Sequence, residues 1–494
     1  MRTIPRDNAE PGTTAKGLRH GSVGLLASMA LGLSSVAPAY SIAVTLGFVV
    51  LAVGDLAPAA LLLGFVPILL TAFAFRELNR DMPDCGTTFV WVTRAFGPFA
   101  GWLAGGWVVQ IATLIAMAAL SRVGAANLLA FLGLDTLAGR PLAVTCTAML
   151  VIALVAALAY RGVQLAAGAQ YVMLALQLVS LLGFAAVALA RDDAATPSLA
   201  WLNPFGFPDA GAMAEGVILC LFIYWGWDAL LSVNEETTDS TRVPGRAAVL
   251  STLVLLGTYL FTAYGALAYA GPGSHGLGDA DTAADVLAAL APPVLGDALA
   301  RIVQLAVCVS AIAALLSCLV SSPRGTLSMA AHGALPEALT RIHPRFRTPA
   351  FATVCWAAAT AGVLAALTAL STDFLGDALL PLGLLIAFYY AVTGLACVWH
   401  FRADLRTSPR DLLLKGILPG TGAVIMLAAF ARCAYDMLDP AYGSTSVAGI
   451  GGVLLLGVGS IALGALVALA VRPRFRRFFR DGRTTVTQLT VTED

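Results

Sequence analysis

The chain has 494 residues, of which 59% are hydrophobic and 12% are charged, with a formal net charge of +0 and a mean hydropathy of +0.84. A soluble protein of this length would carry roughly a quarter of charged residues and would divide into several domains. The composition therefore excludes a soluble multidomain protein and predicts an integral membrane protein.

Apolar runs of about 20 residues, the length of a helix that crosses a bilayer, recur along the chain. They predict a transmembrane domain over residues 22–471, between an N-terminal tail (1–21) and a C-terminal tail (472–494). We expect twelve transmembrane helices, at 22–50, 56–75, 98–121, 141–160, 165–190, 212–233, 247–270, 298–322, 350–370, 375–399, 413–434 and 447–471.

The first span contains a helix-breaking residue near its middle. Residues 33–41 read Leu-Ser-Ser-Val-Ala-Pro-Ala-Tyr-Ser. Pro38 lacks a backbone N–H and clashes with the preceding turn, so we expect the helix to break just before it. Non-helical backbone at membrane depth is tolerated only inside protein or beside a water-filled cavity. A simple proline kink is the alternative interpretation.

The third span carries Trp107, Gln110 and Thr113 at three-residue spacing, which places them on one helix face. We expect this face to line the same cavity as the first span. A hydrogen bond between helices, with no role in substrate binding, is the alternative.

The sixth span is interrupted as well, at Tyr224-Trp225-Gly226-Trp227-Asp228. Gly226 loosens the helix, and Asp228 places an ionisable group where lipid would make it costly. Two interrupted spans in corresponding places of two halves predict the midplane substrate site of a secondary transporter. A structural acid that is satisfied by unwound backbone is the alternative interpretation of Asp228.

Basic residues are distributed unevenly along the chain. With the N-terminus inside, 24 of the 29 Lys and Arg lie in the tails or in the even-numbered connections. The positive-inside rule then predicts that both termini are cytoplasmic, that the 77–98 connection is inside and that the 271–297 connection is outside. The basic run from Arg472 to Arg480 directly follows a span, so we expect it to contact anionic lipid rather than nucleic acid.

The eight cysteines and five histidines show no paired metal-binding spacing. We therefore predict no metal and no cofactor. An enzyme in the membrane would need convergent catalytic groups, and the spans contain no His, Asp and Glu cluster. The expected partners are a small-molecule substrate and the lipid bilayer.

Three connections resemble the signature loops of the amino acid permeases in the amino acid–polyamine–organocation superfamily. They run from Phe75 to Pro98, from Asn234 to Pro244, and from Ser322 to Pro336 with the continuation 343–349. The resemblance covers roughly residues 20–470. It implies an all-α fold of two inverted five-helix repeats (about 22–190 and 212–399) with two further helices (413–471). The low lysine content, only Lys16 and Lys415, is typical of a high-GC bacterium such as an actinobacterium.

The resemblance also implies a function and a set of site residues. The family moves amino acids or related amines across the plasma membrane by alternating access, and polyamines or other organocations are alternative substrates. In the first helix its unwound segment, which offers N–H groups to a substrate carboxylate, corresponds to Ser34, Ser35, Val36 and Ala37; the family commonly has a glycine–serine–glycine run there. In the sixth helix Tyr224, Trp225, Gly226, Trp227 and Asp228 match the family's aromatic gate, glycine, aromatic residue and acid. Thr113 completes the predicted site.

The coupling ion stays undecided at the level of sequence. Proton-coupled members of the family carry a lysine in the fifth helix, in the volume of a sodium site, and the matching residue is Gln177, which cannot titrate. A sodium site would require hydroxyls on the eighth helix, where Ser310 is the nearest candidate. Proton coupling through Asp228, exchange and facilitated diffusion are the alternatives. A transporter-like receptor that senses amino acids is the alternative function.

Overall fold

Helices make up almost all of the computed structural model, which describes residues 13–370, 374–439, 446–447 and 450–481. The outer parts of the two predicted tails, 1–12 and 482–494, lie outside the described residues. One pair of antiparallel strands, Ser446–Val447 and Ile450–Gly451, precedes the last helices. The predicted all-helical membrane class is confirmed.

The α-helices fall into two groups along the chain. The first group is α1 (Leu25–Val36), α2 (Pro38–Val53), α3 (Ala57–Asp81), α4 (Thr88–Phe96), α5 (Pro98–Gly101), α6 (Val109–Phe131), α7 (Asp135–Ala138), α8 (Pro141–Tyr160) and α9 (Val163–Leu189). The second group is α10 (Ala210–Tyr224), α11 (Val243–Ala270), α12 (Ala280–Ala284), α13 (Val286–Leu295), α14 (Asp297–Ala331), α15 (Ala350–Leu370), α16 (Phe374–His400), α17 (Pro409–Asp411), α18 (Leu418–Asp436), α19 (Gly452–Leu454), α20 (Ser460–Val471) and α21 (Arg476–Asp481).

Shorter helical types join or extend these elements. The 3₁₀ segments are Gly54–Leu56, Leu199–Leu202, Trp227–Glu236, Glu337–Thr340 and Asp404–Arg406. The π-helical segments are Trp102–Val108, Leu412–Ile417 and Leu455–Gly459.

Eleven helical stretches in the described ranges are long and apolar enough to cross a membrane. The first, Leu25–Asp81, has 57 residues, or about 85 Å of helix, whereas the hydrocarbon core of a bilayer is about 30 Å thick. This stretch joins the first two predicted spans, which explains the difference from the predicted twelve. Within it, α2 ends at Val53, Gly54 follows with a φ of 61°, and α3 begins at Ala57.

Several predicted connections are partly helical. The eighth span was predicted to end at residue 322, but α14 continues to Ala331 with Pro323 inside it. Proline removes one backbone donor, and the guanidinium of Arg324 donates to the carbonyl of Val320 beside it. The 77–98 connection contains α4, and the 271–297 connection contains α12 and α13.

The longest helix, α14, has 35 residues and organises the packing. It contacts α1, α6 and α9, while α11 packs against α3 and α9. Buried residues of these helices form one large apolar cluster. The two interrupted segments, between α1 and α2 and after α10, therefore lie inside protein rather than against lipid.

Candidate functional site

The first interruption consists of a single residue. α1 ends at Val36, Ala37 adopts a left-handed conformation (φ 53°, ψ 64°), and Pro38 opens α2. Proline fits the first turn of a helix and disfavours the α conformation in the residue before it. A left-handed conformation costs an alanine about 1–2 kcal/mol. Two backbone hydrogen bonds hold it: the Ala37 N–H donates to Ser34 O (3.1 Å), and the Ser41 N–H donates to Ala37 O (2.8 Å).

Side chains satisfy the backbone groups that this interruption leaves unpaired. The Ser41 hydroxyl donates to the Val36 carbonyl at 2.7 Å. The Tyr40 N–H donates to Ser310 Oγ at 3.2 Å, and the Ser310 hydroxyl donates in turn to Gln177 Oε1 at 2.7 Å. Two of the three predicted coupling candidates, Gln177 and Ser310, are thus bonded to each other and to the start of α2. All groups in this chain of hydrogen bonds are neutral.

The second interruption touches the first. α10 ends at Tyr224, Trp225 is extended, Gly226 has a φ of 115°, and a 3₁₀ helix begins at Trp227. A Cβ atom on residue 226 would lie 2.7 Å from the Ser35 carbonyl oxygen. Both the positive φ and this close approach require glycine.

Asp228 is anchored by two tyrosines of α16, which the sequence analysis did not identify. The Tyr389 hydroxyl donates to Asp228 Oδ2 at 2.9 Å, and the Tyr390 hydroxyl donates to Oδ1 at 3.1 Å. The indole N–H of Trp225 donates to the Tyr389 oxygen at 2.6 Å. Adjacent tyrosines in the middle of an apolar span were the available signal, because buried hydroxyls require partners. Tyrosine hydroxyls, rather than unwound backbone alone, therefore satisfy this acid.

One cavity lies between the two interruptions and α6, and most of the predicted binding residues line it. These are Ser35, Val36, Ala37, Thr113, Trp225, Gly226 and Asp228. The sequence analysis did not assign several other lining residues to the site, among them Tyr40, Phe89, Phe222 and Tyr389.

Three predicted binding residues lie outside this cavity. Ser34 is fully buried in α1. The Tyr224 ring packs against Phe65 and Tyr259, and the Trp227 ring packs against Phe75 and Tyr390. The extended conformation of Trp225 followed by the positive φ of Gly226 reverses the direction of successive side chains, so that Trp225 faces the cavity and its neighbours face the helix bundle.

The three residues predicted to share one face of the third span lie in two different environments. Gln110 and Thr113 line the cavity, and the Thr113 hydroxyl donates to Val109 O at 2.8 Å. Trp107 instead donates from its indole N–H to Ser460 O at 2.8 Å and stacks on Trp102. Trp107 belongs to a π-helical segment, whose wider turn shifts it relative to the α-helix that follows.

A second polar cluster lies where the N-terminal segment folds over the ends of the helices. The ammonium of Lys16, which is 2% exposed, is 2.7 Å from Asp84 Oδ2 and 2.5 Å from Glu235 Oε1. Asp84 also accepts bonds from Ser328 Oγ (2.5 Å) and contacts His332 Nε2 (3.0 Å). We call Lys16, Asp84, Glu235, Ser328 and His332 the Lys16 cluster.

The opposite charges of this cluster stabilise the ionised forms of its Lys16 and Asp84 side chains. Burial is the largest effect on Lys16 and acts to lower its pKa, but the charges of Asp84 and Glu235 and the hydrogen bond to Asp84 act together with Cys85 to hold this pKa well above its usual value. Burial is the largest effect on Asp84 and acts to raise its pKa, but the charges and hydrogen bonds of Lys16 and His332 together hold this pKa well below its usual value. Asp84, Cys85 and Glu235 are close enough to bind a metal ion, but the ammonium of Lys16 lies among them.

Three further contacts near the Lys16 cluster join the 3₁₀ helix, the start of α1 and α21 to the same end of the helix bundle. The buried guanidinium of Arg324 pairs with Glu236 at the end of the 3₁₀ helix. The Val23 N–H donates to Glu236 O at 3.0 Å, which joins the start of α1 to the same segment. At the C-terminus, the Phe478 ring of α21 stacks on Phe89 at 5.5 Å with an interplanar angle of 27°. The first and the last segments that the structure describes therefore both contact residues 84–89, through Lys16 and Phe478.

Comparisons with known proteins agree on a family. A family model described as amino acid permease matches residues 23–471. The chain is 28% identical over 230 residues to the branched-chain amino acid permease BcaP of Lactococcus lactis, covering 42% of this chain and 48% of that protein. It is 28% identical to an uncharacterized transporter of Mycobacterium tuberculosis, covering 60% of this chain and 64% of that protein.

A third relative is matched over more of its length. The chain is 25% identical to the low-affinity putrescine importer PlaP of Escherichia coli, covering 76% of this chain and 80% of that protein. The chain thus spans about half of BcaP and less than two thirds of the mycobacterial transporter.

Ser310→Ala is expected to destabilise the protein. The change removes the acceptor of the Tyr40 N–H and the described partner of the Gln177 side chain, and a buried polar group without a partner costs about 1–3 kcal/mol. Thermal unfolding of the detergent-purified protein measures the loss. Ser180→Ala is the matched control, because the buried Ser180 hydroxyl has no partner among the described residues. Equal melting temperatures for the two variants would contradict a supporting role of Ser310.

Proposed function

This chain belongs to the amino acid permease family, and on that premise we propose that it moves amino acids or related amines across the plasma membrane by alternating access. The observation that supports this is the contact between the two interrupted helices, with an acid, a tryptophan and unwound backbone around one cavity. Such sites at the junction of discontinuous helices are typical of secondary transporters. The names of two relatives, a branched-chain amino acid permease and a putrescine importer, support amino acids and amines as the two substrate classes.

We propose twelve membrane crossings with both termini in the cytoplasm. The 57-residue stretch Leu25–Asp81 is long enough for two crossings, and Gly54 divides it. The distribution of Lys and Arg supports the orientation. In this orientation the Lys16 cluster lies at the cytoplasmic end and the connection with α12 and α13 lies at the outer end.

Trp225, the first residue after α10, is proposed to gate the cavity. Its ring lines the cavity, and its indole N–H is bonded to Tyr389, which itself donates to Asp228. A movement of Trp225 would therefore break a bond to the residue that orients the acid. This connection supports a coupled response of the gate and the acid to bound substrate.

The Lys16 cluster is proposed to hold the cytoplasmic side closed. Its members come from the N-terminal segment, from the 84–86 turn, from the end of the sixth span and from α14. Release of substrate into the cytoplasm requires these elements to separate. The ion pairs are buried, and removal of one partner of a buried pair typically costs about 3–5 kcal/mol, so Lys16 would have a large influence on the balance between closed and open states.

Trp225→Ala is expected to reduce transport strongly. Loss of a cavity-lining ring and of its bond to Tyr389 should reduce substrate affinity at least about tenfold, equivalent to about 1.4 kcal/mol. Uptake and counterflow of a labelled panel of amino acids and amines in proteoliposomes measure the effect. Trp399→Ala is the control, because Trp399 is 51% exposed. Saturable binding by the wild-type protein without any uptake or exchange would favour the receptor function instead.

Lys16→Ala is expected to open the cytoplasmic side and expose Cys85. In a variant that keeps Cys85 as its only cysteine, labelling by an impermeant thiol reagent applied to the cytoplasmic face should accelerate at least about tenfold, or about 1.4 kcal/mol. Burial, followed by the charge of Glu235, holds the pKa of Cys85 well above its usual value. Loss of the Lys16 charge would raise that pKa further and slow the reaction of the thiol, so faster labelling reports access.

The control for this experiment is Lys415→Ala, which removes the other lysine and its exposed pairs with Asp404 and Asp411. Asp84 stops stabilising the closed cytoplasmic side only as the pH falls through its lowered pKa. Lys16 stops stabilising it only as the pH rises through its raised pKa. After correction for the thiolate fraction, labelling of the otherwise wild-type protein should therefore be constant from about pH 8 to about pH 9. Unchanged labelling in Lys16→Ala would contradict the closing role.

A further inference from the structure

We infer that the cavity selects an aliphatic amine that lacks a carboxylate, in preference to an α-amino acid. The inference rests on the proposed transport function and concerns the same cavity. An α-amino acid brings an ammonium and a carboxylate, and each charge must find a partner when it leaves water. The lining of this cavity offers a charged partner for the ammonium and only neutral donors for the carboxylate.

The partner for the ammonium is Asp228. It is the one charged side chain among the described residues that line the cavity. The tyrosine hydroxyls occupy one position on each of its oxygens, and an ionised carboxylate offers about four. Two helices, α1 and α10, also end beside the cavity at Val36 and Tyr224, and the carbonyl ends of helices favour cations. Charge and helix direction both favour a cation.

The usual partner for a carboxylate, the start of a helix, is largely occupied in α2. A helix leaves its first backbone N–H groups free to bind an anion. Here Pro38 has no N–H, the Tyr40 N–H is bonded to Ser310, and the Ser41 N–H is bonded to Ala37 O. Within the described hydrogen bonds only the Ala39 N–H of this turn has no acceptor. One neutral donor does not replace the water around a carboxylate.

The other helix start in the cavity is unsuitable for a different reason. The 3₁₀ helix that begins at Trp227 carries Asp228 in its first turn. A substrate carboxylate placed there would meet a like charge at close range, which is unfavourable in a site of low dielectric constant. No Lys, Arg or His of the described lining compensates for it.

The remainder of the lining indicates the body of the ligand. Val36, Ala37, Leu120 and Phe222 offer apolar surface for a short aliphatic chain. Tyr40 also lines the cavity, is 2% exposed, and its hydroxyl has no partner among the described residues. A neutral hydroxyl there can accept a bond from a second amino group. A mono- or diamine with an aliphatic body fits these features.

Matched pairs of compounds that differ only by the carboxylate test the inference. The full-length protein in nanodiscs is titrated with 3-methylbutylamine against leucine and with putrescine against ornithine, and uptake of the same compounds is measured in proteoliposomes. We expect each amine to bind at least about tenfold more tightly than its parent amino acid. Equal or tighter binding of leucine or ornithine overturns the inference and leaves the transport function standing. Failure of all four compounds also overturns it, and transport of the wider amino acid and amine panel then decides the proposed function separately.

Two variants separate recognition from folding. Asp228→Asn should reduce the affinity for putrescine and 3-methylbutylamine at least about tenfold. Ser310→Ala frees the Tyr40 N–H to bond a carboxylate. The ratio of the affinity for leucine to the affinity for 3-methylbutylamine should therefore rise by about three- to tenfold, the effect of one further hydrogen bond. A loss of stability alone would not change this ratio, and Ser180→Ala should leave it unchanged. An unchanged ratio in Ser310→Ala, or unchanged amine affinity in Asp228→Asn, overturns the assignment.

Discussion

The structure depends on one constraint: backbone that is not helical cannot be left unpaired in an apolar environment. The two interruptions meet this constraint jointly. Gly226 approaches the carbonyl of Ser35 so closely that no side chain fits between them. Ser41 covers the carbonyl of Val36, and Ser310 covers the N–H of Tyr40. The cavity lies where these two segments meet, and there the bundle presents polar backbone in its interior.

The distribution of charge distinguishes the centre of the protein from its N-terminal end. The described lining of the cavity contains one acid and no base, whereas the Lys16 cluster combines an ammonium with two carboxylates. The Gln177 and Ser310 side chains are neutral and bond to each other. A substrate with a net positive charge would make a second ion unnecessary, because a membrane potential contributes about 2.3 kcal/mol per unit charge per 100 mV. The neutral pair and the isolated acid are therefore compatible features.

Residues with strong local effects made much of this fold predictable from sequence. Pro38 and Gly226 placed the interruptions, and Asp228 stood out as an acid within an apolar run. Its partners were not predictable, because Tyr389 lies 161 residues further along and only the packing of α16 brings it near. The bond between Gln177 and Ser310 likewise joins residues 133 positions apart.

Local irregularities caused the remaining differences. A π-helical turn moved Trp107 away from the face of Gln110 and Thr113, and no periodicity in the sequence marks such a turn. Pro323 did not end α14, because a proline within a long buried helix removes one bond and the packing around it is retained. Lys16 was visible as one of two lysines, but its burial depends on Asp84 and Glu235, which are distant in the chain.

The stacking of Phe478 on Phe89 has a consequence for the biosynthesis of the protein. Phe89 lines the cavity, and the ring that covers it comes from α21, the last helix that the structure describes. The ribosome therefore makes this cover after every other helix that the structure describes. Until then the nascent protein presents an aromatic residue of its cavity without its final contact. A chain that stops before α21 therefore differs from one that includes it at this side of the cavity.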